Sequence, residues 1–365
     1  MNLSVLFLLI GIAACATWAM VPLARLIAIN AALFDMPSAR KVHATPTPLL
    51  GGLAIYAGIL LSLGFLMVTQ DAVRTALTAQ WPWLLGASAV VVLGGVWDDA
   101  THWPAWWKLC WQLGAASILC WGGMRITVLT NPVQGVEAVL PEWLSVVLTL
   151  GWLVAIINAV NLMDGMDGLA AGITAIAAAF LLSIAILLEN MGTVYLLAAV
   201  IGSCLGFLRY NWPPAQVFMG DAGSQLLGLL VGVAPLLDFQ YKAATVVALL
   251  IPLTTLAIPL SDTLLAIIRR LQGHRSIFRA DKQHLHHRLL ELGLSPQQAI
   301  LLMYVVTAYL GLIAILFVLI PDHHAFILVL LLSLGLFMGM RTIGFIERRL
   351  RFLYLQQAKR RRRAP

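Results

Sequence analysis

Eleven apolar runs, separated by short polar connections, limit what this chain can fold into more than any other feature. They lie at about 3–27, 49–69, 83–97, 106–123, 143–161, 168–188, 193–209, 222–237, 243–268, 299–320 and 324–340. A helix of roughly 20 apolar residues crosses a bilayer, and most of these runs reach that length. Backbone N–H and C=O groups find no water inside a bilayer, so only helices and closed barrels span it. The runs lack strand alternation, so the pattern predicts helices. Composition agrees: 61% of the 365 residues are hydrophobic and only 11% are charged. Such values exclude a soluble domain of this size. The predicted fold class is an all-α polytopic membrane protein with about eleven transmembrane helices.

Charge orients it. With the N-terminus outside and the C-terminus cytoplasmic, the outer loops hold only Arg74, Arg125 and Lys242 of the 23 Lys and Arg residues. The others lie on or near the inner side, as the positive-inside rule requires. No positive charge precedes the first run, so the stretch around Ala14-Cys15 reads as a retained helix rather than a cleaved leader. The four cysteines, Cys15, Cys110, Cys120 and Cys204, lie in or beside apolar runs and show neither metal spacing nor disulfide logic. The outer stretch 125–140 alternates around Asn131-Pro132, which predicts a small periplasmic hairpin between helices four and five. Residues 1–346 form one integral membrane domain on this reading, and 347–365 a basic cytoplasmic tail.

The inner connections gather acids, amides, glycines and histidines, whereas outer acids are scattered singly. In I-I-N-A-V-N-L-M-D-G-M-D-G-L-A-A-G, Asn158, Asn161, Asp164 and Asp167 stand between two apolar runs. Charges at the end of a membrane helix are costly and mark a pathway, a metal or a substrate. On a continuing helix Asp164 and Asp167, spaced i, i+3, share a face. Gly165 and Gly168 leave that face open, or let the helix break. A plain polar turn is the competing reading.

Asp98-Asp99 closes the third run. Adjacent acids repel, which makes sense where a cation or a proton-transfer task compensates, unless the pair is merely a solvated loop end. Lys41 and His43 precede Pro46, Pro48 and Gly51-Gly52. Cations beside a glycine-marked helix start suit phosphate, although inner-side anchoring also accounts for them. Lys108 and Gln112, one turn apart, are placed to reach an anionic head group, while snorkelling alone also explains Lys108. Asp221, between Gly220 and Gly223, suits a hard cation, since Mg²⁺ takes one or two protein carboxylates plus phosphate oxygens. As a helix N-cap it would need no ligand. Asn211 offers a further carbonyl ligand or hydrogen bond. In the long loop 269–298, His284 and His287 are spaced i, i+3 with Arg288 beside them, and His286 points elsewhere. Zinc usually needs more ligands than this pair offers, so an anionic, sugar-bearing substrate fits better.

Five motifs then occur in order: R-K-V-H…P-L-L-G-G, D-D, N-A-V-N-L-M-D-G-M-D-G-L-A-A-G, V-F-M-G-D-A-G-S and D-K-Q-H-L-H-H-R. Over nearly its whole length the chain resembles the polyprenyl-phosphate N-acetylhexosamine-1-phosphate transferases. Its H-L-H-H-R form resembles the branch that begins O-antigen, enterobacterial common antigen or teichoic acid linkage, with Ile277 where proline is more usual. The resemblance implies an enzyme of the bacterial inner membrane with a cytoplasmic active face. It would transfer N-acetylglucosamine-1-phosphate from UDP-N-acetylglucosamine to undecaprenyl phosphate and release UMP, with Mg²⁺, or Mn²⁺ in its place.

On that resemblance Asp221 would be the metal ligand, and Asn158 and Asn161 would lie near the diphosphate. Asp164 and Asp167 would contact the nucleotide or the metal's surroundings. Asp98 and Asp99 would face the lipid phosphate, with Asp98 as candidate base, and His284, His286, His287 and Arg288 would meet the sugar nucleotide. The expected partners are the two substrates, membrane lipids and a second copy of the chain, with no nucleic acid. Two alternatives stand beside it: another UDP-N-acetylhexosamine as donor, or a transporter of lipid-linked sugar. Against transport, the polar groups collect at one membrane face and no repeat pairs the two halves.

Overall fold

A computed structural model describes residues 3–37, 45–130, 137–237 and 285–319, with Leu260 and Gly335 besides. Its helices are α1 (Leu3–Asn30), α2 (Gly51–Thr69), α3 (Asp71–Leu77), α4 (Trp81–Thr101), α5 (Ala105–Trp121) and α6 (Glu142–Met163). They continue as α7 (Leu169–Leu187), α8 (Met191–Asn211), α9 (Gly220–Val233), α10 (Leu285–Glu291) and α11 (Pro296–Leu319). Nine of the eleven apolar runs coincide with described helices, and the runs at 243–268 and 324–340, but for Leu260 and Gly335, lie outside the described residues. Among the described residues seven helices, α1, α2, α4, α6, α7, α8 and α11, are long and apolar enough to cross a membrane. The chain is therefore a polytopic membrane protein. Helices α5 and α9, with 17 and 14 residues, fall short of that length, as their short runs foreshadow.

Each outer helix buries one stripe. In α1 the buried positions are Leu6, Leu9, Ala13, Thr17, Val21, Ala24 and Ala28, spaced by three or four residues. Its other face exposes Phe7, Trp18, Leu23 and Leu26, the side chains a bilayer would solvate. Helix α9 differs. It packs against α2, α4, α6, α7 and α8, and all its residues but Asp221 are buried. Lipid supplies no hydrophobic drive between helices, so close packing and hydrogen bonds hold such a centre. Trp152 Nε1 donates to Gly232 O at 2.8 Å, and Thr193 Oγ1 to Ala234 O at 2.9 Å.

Polar connections meet at one end of the bundle. There the last turns of α4 and α6 face the first turns of α5 and α9. Strand β1 (Phe34–Asp35) pairs antiparallel with β2 (Thr47–Pro48), which brings Asp35 to the same end. The expected hairpin over 125–140 is present: β3 (Val128–Thr130) pairs with β4 (Glu137–Val139), while Asn131-Pro132 lies outside the described residues. Short α3, in the connection before α4, was not expected from the sequence.

Of the two readings open for Gly165 and Gly168, the structure shows the break. Helix α6 does not continue through Asp164 and Asp167. Asp164 is its C-cap, with φ −76° and ψ 26°, and Gly168 at φ 74° starts α7. The two acids therefore share no helical face, because the glycines break the helix between them.

Candidate active site

Asp221 stands in the first turn of α9, where three other helices reach it. Asn161 Nδ2, from α6, donates to Asp221 Oδ1 at 2.9 Å and to Ser224 Oγ at 2.9 Å. Lys108 Nζ, from α5, donates to Asp221 Oδ2 at 2.7 Å and also pairs with Asp98 of α4. Asp99 Oδ1 accepts from the backbone N–H of Asp221 at 2.9 Å. The adjacent acids thus take separate tasks: Asp98 meets the cation, and Asp99 holds the start of α9. Asp98 is only 3% exposed, so Lys108 is the compensation its burial demands. Lys108 therefore belongs to the site, and snorkelling alone does not describe it.

The turn after α4 adds a second hold. His102 adopts φ 56°, its N–H donating to Asp98 O at 2.8 Å, and Trp103 N donates to Asp98 Oδ1 at 2.6 Å. The Trp103 indole packs edge-on against Trp111, at 5.6 Å between ring centres.

These groups open on a cleft of about 380 Å³. Asp35, Asp98, Asp99, Asp164, Asp167 and Asp221 line it, and Lys108 is the only Lys or Arg among its described lining residues. Burial, and then the carboxylates of Asp221, Asp99, Asp35 and Asp167, push the Asp164 carboxyl well above the usual carboxylate range. So much negative charge on one surface calls for a cation. Among the described residues Asp99 Oδ2 is buried without a hydrogen-bond partner. Beside it, Gly220 holds φ +67°, and a Cβ there would run into the Asp99 carboxylate. No three described acid, histidine or cysteine side chains form a closed cage. Hard oxygens in an open setting fit Mg²⁺, which keeps waters and substrate oxygens in its coordination sphere.

The P-L-L-G-G motif does a different job from the one its sequence suggests. Phe218 N donates to Pro48 O, and Gly51 N and Gly52 N donate to Phe218 O and Met219 O, each at 2.9 Å. These N–H groups are spent on the loop that leads into α9, so the start of α2 does not offer them to a phosphate.

Other site candidates act as braces. Asn211 is buried: its Oδ1 accepts from Gly168 N at 2.8 Å and its Nδ2 donates to Val217 O at 2.9 Å. Asp167, at the cleft wall, accepts from Ala215 N at 2.9 Å. Asn158, one turn below Asn161, donates to Gln112 Oε1 at 2.7 Å rather than lining the cleft. Gln112 in turn points at buried amides and not at a head group. Arg288 is half-buried on α10 and is not among the cleft's described lining. Lys41, His43 and His284 lie outside the described residues, as do the side chains of His286 and His287.

Sequence reasoning missed Asp35, Trp103, Gln225 and Tyr304. Gln225 carried a signal, lying four residues beyond Asp221 on one helix. Tyr304 carried none, although its hydroxyl donates to Gly168 O at 2.5 Å and ties α11 to the aspartate loop.

The description of Glycosyl transferase family 4 matches residues 81–238, which hold every cleft acid named above except Asp35. A probable undecaprenyl-phosphate N-acetylglucosaminyl 1-phosphate transferase of Bacillus subtilis is 38% identical over 288 residues, 78% of this chain and 77% of that one. The chain belongs to the polyprenyl-phosphate N-acetylhexosamine-1-phosphate transferases. A decaprenyl-phosphate N-acetylglucosaminephosphotransferase of Mycolicibacterium smegmatis is 41% identical over 315 residues, covering 80% of this transferase and 76% of its own length. An undecaprenyl-phosphate alpha-N-acetylglucosaminyl 1-phosphate transferase of Escherichia coli K12 is 31% identical over 301 residues, 80% and 78% of the two chains. In this transferase the matched stretch 81–238 holds Asp98, Asp99, Lys108 and Asn161, the groups that meet around Asp221.

Proposed function

We propose that the transferase moves N-acetylglucosamine-1-phosphate from UDP-N-acetylglucosamine to undecaprenyl phosphate, at the cytoplasmic face of a bacterial inner membrane. One observation carries this reading beyond family membership: Asp98, Asp99, Lys108 and Asn161, from three helices, meet around Asp221 in a single cleft at one end of the bundle. The excess of Lys and Arg on the inner side of the sequence supports the cytoplasmic placing.

In the reaction an oxygen of the acceptor phosphate bonds to the β-phosphorus of the donor. The bond from that phosphorus to the bridging oxygen breaks, and UMP leaves with the electron pair. Such transfer depends mostly on positioning and charge neutralisation. Lys108 supplies a fixed positive charge for phosphate oxygens. The acceptor phosphate, with a second pKa of about 6, is largely ionised at neutral pH. Direct attack then needs no strong base, and Asp98 is our candidate to take the proton of the monoanionic fraction. Asp221 and Asp99 would hold a divalent cation. When bound, that ion neutralises diphosphate charge and polarises the phosphoryl oxygens.

The test is detergent-purified protein with labelled UDP-N-acetylhexosamines, Mg²⁺ or Mn²⁺, and undecaprenyl phosphate. UMP release that needs both substrates, fastest with UDP-N-acetylglucosamine, is expected. Failure to release UMP with any donor of the panel, or release indifferent to the lipid, would overturn the reading.

A further inference from the structure

Beneath the cleft, half-buried Asn158 and buried Gln112 and Gln225 form a chain of amides that ends on Asp221. Asn158 Nδ2 donates to Gln112 Oε1 at 2.7 Å. Gln112 Nε2 donates to Gln225 Oε1 at 3.2 Å, and Gln225 Nε2 to Asp221 Oδ2 at 3.4 Å. The three amides sit on α6, α5 and α9 in turn. Gln112 and Gln225 are 1% and 3% exposed, so neither touches solvent to any useful extent.

Both ends of the chain dictate its direction. At the lower end Asn158 Nδ2 also donates to Val154 O at 2.8 Å, and a carbonyl accepts only. At the upper end an ionised carboxylate accepts only, so Gln225 must present its NH₂. Gln112 is thereby left one orientation, with its oxygen toward Asn158 and its NH₂ toward Gln225. Every amide points its donor toward Asp221, and aligned hydrogen bonds polarise one another. Amides inside a helical bundle are costly to bury, and satisfying them would not require the chain to end on a site carboxylate.

We propose that Asn158, Gln112 and Gln225 are a one-way amide relay that positions Asp221 to receive its divalent cation through Oδ1. A carboxylate offers about four lone-pair sites. Among the described residues Lys108 and Gln225 donate to Oδ2 and Asn161 alone donates to Oδ1, so Oδ1 carries the fewer donors and is the oxygen assigned to the cation. The relay is a set of positioning residues: it touches no substrate and acts through Asp221. It rests on the reading of Asp221 as a cation ligand.

The experiment titrates Mn²⁺ into the full-length, detergent-purified protein and follows the free-ion signal by electron paramagnetic resonance. Wild type is compared with Gln112→Met and Gln225→Met, which keep the bulk and remove the amide, and with Gln112→Glu, which keeps polarity but has no donor for Gln225. Asp221→Asn is the control. Loss of one hydrogen bond of the relay is expected to weaken Mn²⁺ binding by about three- to tenfold in each relay variant. The KM for the UDP-sugar at saturating Mn²⁺ should stay at its wild-type value, a split that general loosening of the fold would not give. Thermal melting reports folding, and should Gln112→Met fail to fold, Gln225→Met decides alone. Wild-type Mn²⁺ affinity in the relay variants, with binding lost in Asp221→Asn, overturns the relay and leaves the ligand assignment standing. Wild-type affinity in Asp221→Asn overturns the ligand assignment itself.

Discussion

Lys108 Nζ lies 2.7 Å from Asp221 Oδ2 and pairs at the same time with Asp98, so one ammonium joins α5 to both α4 and α9. The geometry decides how Asp98 and Asp221 tolerate each other in a half-buried site. It also places a fixed positive charge at the cleft, where preorganised charge is most effective because little water screens it.

Lys108→Met is therefore expected to lower kcat by roughly 10²- to 10³-fold, the usual cost of removing one preorganised stabilising group. Melting temperature should fall too, since a partner is taken from buried Asp98. Lys108→Arg should recover only part of the rate, because a planar fork does not bridge two carboxylates as a point charge does. Steady-state UMP release and thermal melting in detergent measure both.

Asp98→Asn separates a base from a merely charged neighbour. Loss of most turnover is expected, and a variant that kept it would remove the general-base assignment. Direct attack further requires that labelled UMP not exchange into the donor when acceptor lipid is absent. Exchange under those conditions would instead reveal a two-step route through an aspartyl intermediate.

Gly220→Ala tests the backbone of the site. Its φ of +67° disfavours any side chain, and the new methyl would push on the Asp99 carboxylate. Strain of about 1–3 kcal/mol is typical of such a residue. Activity is expected to fall more than tenfold. Gly52→Ala, whose Cβ would strike the Ala222–Gly223 backbone, should lower the melting temperature as well.

Asp164 carries a pH dependence with a definite sign. Its carboxyl is raised by burial and by neighbouring carboxylates, so its ionised form opposes folding. The cost is present above the raised pKa and vanishes as pH falls and the group protonates. Without divalent cation, Asp164→Asn is expected to melt higher than wild type at neutral pH, with the gain shrinking toward acid pH. Melting curves across a pH series measure it, and an equal gain at every pH would contradict the charge explanation. Turnover should fall in the same variant if Asp164 contacts the nucleotide.

Much of the architecture was legible from the residues alone. Long apolar runs dictate helices because a bilayer leaves the backbone no other partner, and nine of the eleven runs are described helices. The alternation around 125–140 was enough to place a hairpin. The motif acids were legible for a related reason: charge is too costly near a membrane helix end to be there without a task.

What the linear order could not reveal is which polar group answers which. Asp98 and Asp99 are neighbours in sequence, yet one pairs with Lys108 and the other holds the backbone of Asp221, 122 residues away. Gln112 looked like a reach toward a head group, Asn211 like either a ligand or a hydrogen-bonding brace, and Gly51-Gly52 like a phosphate cradle. Packing turned them into a relay, a brace and a backbone tether. Hydrogen bonds and ion pairs depend on distances of about 3 Å, and helices far apart in the chain reach such distances only once the bundle has closed around α9. Residue types and spacing thus determined that this is a membrane protein with acids at one end, and the resemblance of its motifs supplied the transferase. The tertiary fold alone decided which of those acids share a cation, because that is a matter of contact and not of order.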